Sequence, residues 1–85
     1  MSIEIYTKNT CPYCHMAKDL LKQKEAAYSE IPIDGDQQLR AKMIERAGRH
    51  TVPQIFINDQ HVGGYDDLAA LERAGMLDNM LKAAG

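Results

Sequence analysis

The apolar residues of this chain alternate between strand spacing and helix spacing along its length, and within 85 residues that alternation leaves few folds open. Ile3, Ile5 and Tyr6 in IEIYT predict a strand that ends near Thr7. Thr10 is placed to cap a helix beginning at Cys11, and Pro12 fits its first turn because the N–H that proline lacks has no helical partner there. Met16, Ala17, Leu20 and Leu21 then recur at helical spacing to about Lys24, with Lys18, Asp19, Lys22 and Gln23 turned toward water. A second strand is expected over Tyr28 to Ile33. The turn residues DGD at 34 to 36 follow, where Asp36 caps a second helix with an apolar face of Leu39, Met43, Ile44 and Ala47, ended by Gly48. QIFI from Gln54 reads as a third strand, Asn58-Asp59-Gln60 as a tight connection and HVGG as a short fourth strand, so these two form a hairpin. Asp66 or Asp67 is expected to cap a third helix, DLAALERA, that stops at Gly75, with LDNMLKAA adding a last short turn.

The resulting order is β-α-β-α-β-β-α. A strand, crossover helix and parallel strand form a right-handed unit, and the later hairpin must extend the same sheet because a chain this short cannot support two. The prediction is an α/β protein: one domain over residues 1–85, with a four-stranded mixed sheet and helices on both faces.

In that arrangement the stretch CPYCH, Cys11 to His15, falls where the first strand ends and the first helix begins. This is the carboxyl edge of the sheet, where folds of this kind display reactive groups. A helix start presents free N–H groups and the positive end of the helix dipole, so a thiolate at Cys11 is stabilised, and thiolate is the nucleophilic form. Lys8 adds a screened positive charge close by. Cys14, one turn further and facing the protein, lacks most of this help. The asymmetry assigns attack to Cys11 and resolution of the resulting mixed disulfide to Cys14.

The same pentapeptide also fits other chemistries. Cys11, Cys14 and His15 have zinc-ligating side chains, but His15 points about 100° around the helix from Cys14, and neither His50 nor His61 is an obvious fourth ligand. Covalent haem would use His15 as proximal ligand and a methionine as distal one, yet strand signals on both sides of the motif argue against a haem-enclosing helical fold. Two buried small hydrophobes would not need Pro and Tyr between them at a helix start. His15 reads as a solvent-facing helix residue, and no metal ligand set is assigned.

Composition removes further classes. With 12 acidic and 10 basic residues, a net charge of −2 and no run of Lys or Arg, the chain has no footprint for nucleic acid or an anionic membrane. The opening MSIEIYTKNT lacks a basic segment followed by an apolar one, and no stretch approaches the length of a membrane span. The expectation is a soluble, cytoplasmic monomer. Its two cysteines form no disulfide framework, and in a reducing compartment such a pair is catalytic or metal-binding rather than structural.

With CPYC at 11 to 14, TVPQIFI at 51 to 57 and GGYDDL at 63 to 68, in this order and spacing, the chain resembles the glutaredoxins of the small bacterial dithiol type over nearly its whole length. The resemblance implies a thioredoxin-like fold and a glutathione-dependent thiol–disulfide oxidoreductase. Such an enzyme reduces protein–glutathione mixed disulfides and protein disulfides, with glutathione as reducing co-substrate and no bound cofactor. It also implies a cis Val52-Pro53 bond that turns the Val52 backbone toward the reactive sulfur, where the central cysteine of glutathione pairs as a short antiparallel strand. The γ-glutamyl carboxylate would sit on the amides opening the third helix at Asp66 and Asp67, with the Asp67 carboxylate taking the ammonium. Lys8, Arg40 and Gln38 are candidates for the glycyl carboxylate. Tyr13 would wall the thiol site, Thr51 would bond the ligand or local backbone, and Gly64 beside Gly63 would let the backbone approach closely. Tyr65 occupies a position where relatives can carry an additional cysteine. The alternative is a [2Fe–2S] cluster held between two subunits through Cys11 and glutathione, as in some relatives. Pro12 argues against it, because it stiffens the turn that must open to admit a cluster.

Overall fold

The computed structural model describes residues 2–84. Its elements are β1 (Ile3–Thr7), α1 (Pro12–Gln23), β2 (Ser29–Pro32), α2 (Gln37–Ala47), β3 (Gln54–Ile57), β4 (Gln60–Gly63), α3 (Tyr65–Arg73) and α4 (Leu77–Ala84). The strands form one sheet in the order β2-β1-β3-β4. β1 pairs parallel with β2, Tyr6 facing Ile31, and antiparallel with β3, Ile5 facing Ile55; β3 and β4 form the antiparallel hairpin. The mixed thioredoxin-like sheet expected from the sequence is therefore present.

Alternation along the two central strands builds a core on each face. Ile3, Ile5, Ile55 and Ile57 point to one side, against Ala17 and Leu21 of α1, Leu68 of α3 and Leu77 of α4. Tyr6 and Phe56 point to the other, against Met43 of α2 and Ile33 just beyond β2. Each fully buried Leu or Ile contributes about 1.5–3 kcal/mol of apolar transfer, and both faces of β3 are covered, which is why QIFI is buried at all four positions. On the α2 side Arg46 closes the layer. Its guanidinium pairs with Glu4 at 3.0 Å, donates to the Tyr6 hydroxyl at 2.9 Å and lies 4.0 Å from the centroid of the Phe56 ring. Among the described residues no helix is long and apolar enough to cross a membrane.

Several element ends differ from the sequence expectation for local reasons. The buried stripe of α1 is Cys14, Ala17 and Leu21, at positions i, i+3 and i+7, and Met16 lies off that stripe and is exposed. Lys18 is half-buried rather than free in water, 3.0 Å from Glu30 of β2. β2 is shorter than Tyr28 to Ile33. β4 begins at Gln60, one residue early, because Asn58 and Asp59 alone make the turn, with φ of 53° and 65°. LDNMLKAA is a helix of eight residues, not a single turn. Asp36 caps α2 as expected, its carboxylate accepting the Leu39 N–H at 3.0 Å, and Gly48 ends that helix at φ 69°.

Candidate active site

Two helix starts meet at the carboxyl edge of the sheet. The first is α1, whose cap is Cys11 itself rather than Thr10: the Cys11 sulfur accepts the Cys14 backbone N–H at 3.1 Å. Pro12 occupies the first helical position, as the sequence predicts. The loop leading into it is pinned on two sides. The Asn9 N–H donates to the Asp34 carboxylate at 3.2 Å, and the His15 ring donates to the Asn9 carbonyl at 3.0 Å. His15 is exposed, as expected, but it also ties α1 to the loop before it.

The two sulfurs occupy different environments. Cys11 is at the edge of burial at 9% exposure, and its thiol can donate to the Val52 carbonyl 3.7 Å away. Cys14 is fully buried. Burial, followed by the hydrogen bond with the Cys11 sulfur, pushes the Cys14 thiol up to about 12, so it carries its proton throughout the neutral range. One sulfur near the surface has an N–H aimed at it, and behind it stands a neutral thiol three residues on. Among the described residues no group of three or more His, Cys, Asp or Glu side chains is arranged to hold a metal ion.

The Val52-Pro53 peptide bond is cis. A cavity of about 240 Å³ opens beside this segment, lined by Tyr13, Arg49, Thr51, Val52, Pro53, Gly64, Tyr65, Asp66 and Asp67. Tyr13 is largely exposed and stacks on Tyr65 with ring centroids 6.2 Å apart, so the two aromatics wall one side.

The second helix start is α3, which follows β4 with no loop between them. Gly64 is its cap, and Asp66 and Asp67 lie within the first turn, so neither aspartate is the cap residue expected from the sequence. Asp67 reaches back instead: its Oδ2 accepts the Gly64 N–H at 2.9 Å and the Arg49 guanidinium at 3.1 Å. The Gly64 N–H, then Arg49, holds the Asp67 carboxyl below the ordinary carboxylate range. Gly63 is required here twice over. Its φ is 122°, and a Cβ at this position would collide with the Asp67 carboxylate.

Of the residues singled out in the sequence, Tyr13, Thr51, Val52, Pro53, Gly64, Tyr65, Asp66 and Asp67 thus surround one cavity, with the Cys11 sulfur against the Val52 carbonyl. Lys8, Gln38 and Arg40 are exposed and do not line it. The cation that does is Arg49, which sequence reading passed over. Its signal was its place, between the helix stop at Gly48 and the TVP stretch, where a short link has to bring it close to whatever TVP faces.

A family model described as Glutaredoxin matches residues 3–62. Glutaredoxin 3 of Escherichia coli strain K12 is 59% identical over 81 residues, covering 95% of this chain and 98% of that protein. The solution structure of glutaredoxin from Brucella melitensis superposes with a TM-score of 0.87 at 52% identity, covering 100% of this chain and 92% of that one. The crystal structure of a buckwheat glutaredoxin–glutathione complex superposes with a TM-score of 0.91 at 32% identity, covering 98% of this chain and 78% of that one.

Proposed function

The chain belongs to the glutaredoxin family and is a thiol–disulfide oxidoreductase; from that premise we propose that glutathione is its reducing co-substrate and that Cys11 is its nucleophile. The observation that carries the reading is the continuity of the Cys11 sulfur, the Val52 carbonyl and the cavity running to the start of α3. At about 240 Å³ that cavity is smaller than the ~300–1,000 Å³ usual for small-molecule sites, a size suited to one arm of a tripeptide lying partly in water. The γ-glutamyl arm fills it. Its carboxylate meets the first turn of α3, and its ammonium replaces the Arg49 guanidinium at Asp67, an exposed pairing weak enough to exchange. The cysteinyl backbone pairs with Val52, and Thr51 bonds the same strand. The glycyl carboxylate lies outside the cavity, with Lys8 and Arg40 as its candidate partners. That a buckwheat relative was crystallised with glutathione supports the choice of tripeptide.

In the monothiol route the Cys11 thiolate attacks the glutathionyl sulfur of a protein–glutathione mixed disulfide. The protein leaves as a thiolate that takes a proton from water, and Cys11 is left joined to glutathione. A second glutathione thiolate attacks the glutathionyl sulfur of that bond, releasing glutathione disulfide and regenerating Cys11. In the dithiol route Cys11 attacks a protein disulfide. The Cys14 thiol passes its proton to the protein thiolate released in that attack and displaces the second protein sulfur from Cys11. This sulfur leaves as a thiolate that takes a proton from water, and the resulting Cys11–Cys14 disulfide is reduced by two glutathiones, which leave as glutathione disulfide. The reading takes the chain to act as a monomer in the cytoplasm, where glutathione keeps thiols reduced.

The test is steady-state turnover of a glutathionylated peptide with glutathione as reductant, repeated with 2-mercaptoethanol in its place. Saturable turnover is expected with glutathione, and Asp67→Asn should raise the half-saturating glutathione concentration several-fold. Equal turnover with both monothiols, or an unshifted glutathione dependence in Asp67→Asn, would overturn the proposed recognition. Visible absorption bands in freshly purified protein would instead favour the cluster-binding alternative.

A further inference from the structure

Gln54 opens β3 with its side chain fully buried, and its amide is engaged at both ends. Nε2 donates to the Thr51 carbonyl at 3.0 Å and lies 3.3 Å from the Thr51 hydroxyl. Oε1 accepts from Nε2 of His61 on β4 at 2.7 Å, so that ring nitrogen carries the proton. The His61 ring is half-buried and packs 5.0 Å from the ring of Phe56, which fixes its plane. A chain of hydrogen bonds therefore runs from an edge strand, through a central strand, to the irregular segment that carries Thr51 and Val52.

A buried amide is expensive unless every polar atom is bonded, and an apolar side chain would fill this place in the core at less risk. What the amide adds is direction. It sets where the Thr51 carbonyl and hydroxyl point, and Thr51 is joined directly to Val52, whose carbonyl faces the Cys11 sulfur at 3.7 Å. We infer that Gln54 and His61 are positioning residues for substrate recognition: together they hold the Thr51-Val52 edge in the orientation that receives the peptide backbone of the thiol tripeptide. The inference rests on the glutathione reading above, and neither residue touches the reacting sulfur.

The experiment is single-turnover reduction, by the full chain with its dithiol pre-reduced, of two mixed disulfides of one fluorescent peptide. One carries glutathione and the other 2-mercaptoethanol, which has no peptide backbone to recognise. Gln54→Met keeps the length of the side chain and removes its hydrogen bonds. It should lower the ratio of glutathionyl to mercaptoethanol rates about three- to tenfold, the effect of one neutral hydrogen bond. The change should lie in the half-saturating concentration of the glutathionyl substrate rather than in its limiting rate. His61→Phe keeps the ring against Phe56 but not the donor, and should move the ratio the same way by a smaller factor; it carries the test if Gln54→Met does not fold. A ratio unchanged in both variants, or equal loss on both substrates tracking a lower Tm, would reduce the chain to a structural role and overturn the inference. A wild-type ratio near one would overturn the glutathione reading itself, and this inference with it.

Discussion

Cys11 and Cys14 are three residues apart but differently placed, and the difference traces to one hydrogen bond at Cys11 and to burial at Cys14. Cys11 caps its helix, so an N–H points at its sulfur, whereas Cys14 is fully buried and its thiol is pushed up to about 12. On the proposed mechanism, a mixed disulfide between Cys11 and glutathione is cleared by a second glutathione with no help from Cys14. A protein substrate tied to Cys11 is released fastest by the neighbouring thiol at high effective concentration. Cys14→Ser is therefore expected to keep most deglutathionylation activity and to lose most reduction of protein disulfides, while Cys11→Ser loses both. Assays of the two variants on a glutathionylated peptide and on a protein disulfide check this. Activity on either substrate in Cys11→Ser would reassign the nucleophile, and equal loss of both in Cys14→Ser would show that the sulfurs are obligately coupled.

The ends of the elements do more to shape the site than their middles. Both helix starts that face the cavity are unusual, one capped by a cysteine and the other by a glycine, with Asp67 bonding back to the Gly64 N–H. The far end of α1 shows the opposite case, a position where the residue is not the best for its conformation. Glu25 has φ 56°, and the chain there closes with the Glu25 N–H on the Lys22 carbonyl and the Ala26 N–H on the Leu21 carbonyl. A left-handed conformation costs an L-residue about 1–2 kcal/mol relative to glycine, part of which glycine gives back through greater unfolded-state entropy. Glu25→Gly should then stabilise the chain by about 1 kcal/mol, raising Tm by ~4–8 °C for a chain of this size. Thermal unfolding followed by circular dichroism measures it, and an unchanged or lower Tm would show that the turn relaxes around Glu25 at no cost.

At the scale of the whole molecule, stability is linked to pH through the buried thiol. The ordinary Cys value is 9.0 and the folded one is about 12, so between these the unfolded chain loses the Cys14 proton while the folded chain keeps it. The contribution is fully present below about pH 9 and is lost as pH rises through the folded value. Unfolding free energy should fall more steeply with pH over this alkaline range in the wild type than in Cys14→Ala, both held reduced. Urea titrations at a series of pH values measure the two slopes, and parallel curves would mean that the Cys14 thiol is no more protected in the folded state than in the unfolded one.

The alternation of apolar spacing was enough to write down the strands, the helices and their order, because a period of two or of 3.6 is a local property that survives without knowledge of the partner. The chemistry of CPYC, TVP and GGYDD was legible for the same reason: Pro and Gly declare backbone geometry, and Cys declares reactivity. What stayed hidden depends on contacts between residues far apart in the chain. Met16 reads as core by spacing, but the face that α1 turns to the sheet carries Cys14, Ala17 and Leu21 and leaves Met16 in water. Asp66 and Asp67 look like caps until β4 runs straight into α3 and makes Gly64 the cap. Arg49 looks like any exposed cation until the cavity forms around it, and Gln54 like any polar residue at a strand end until Thr51 and His61 close on its amide. A residue type and its spacing fix which element a side chain sits on; only the packing of one element against another decides which charge or donor stands opposite it.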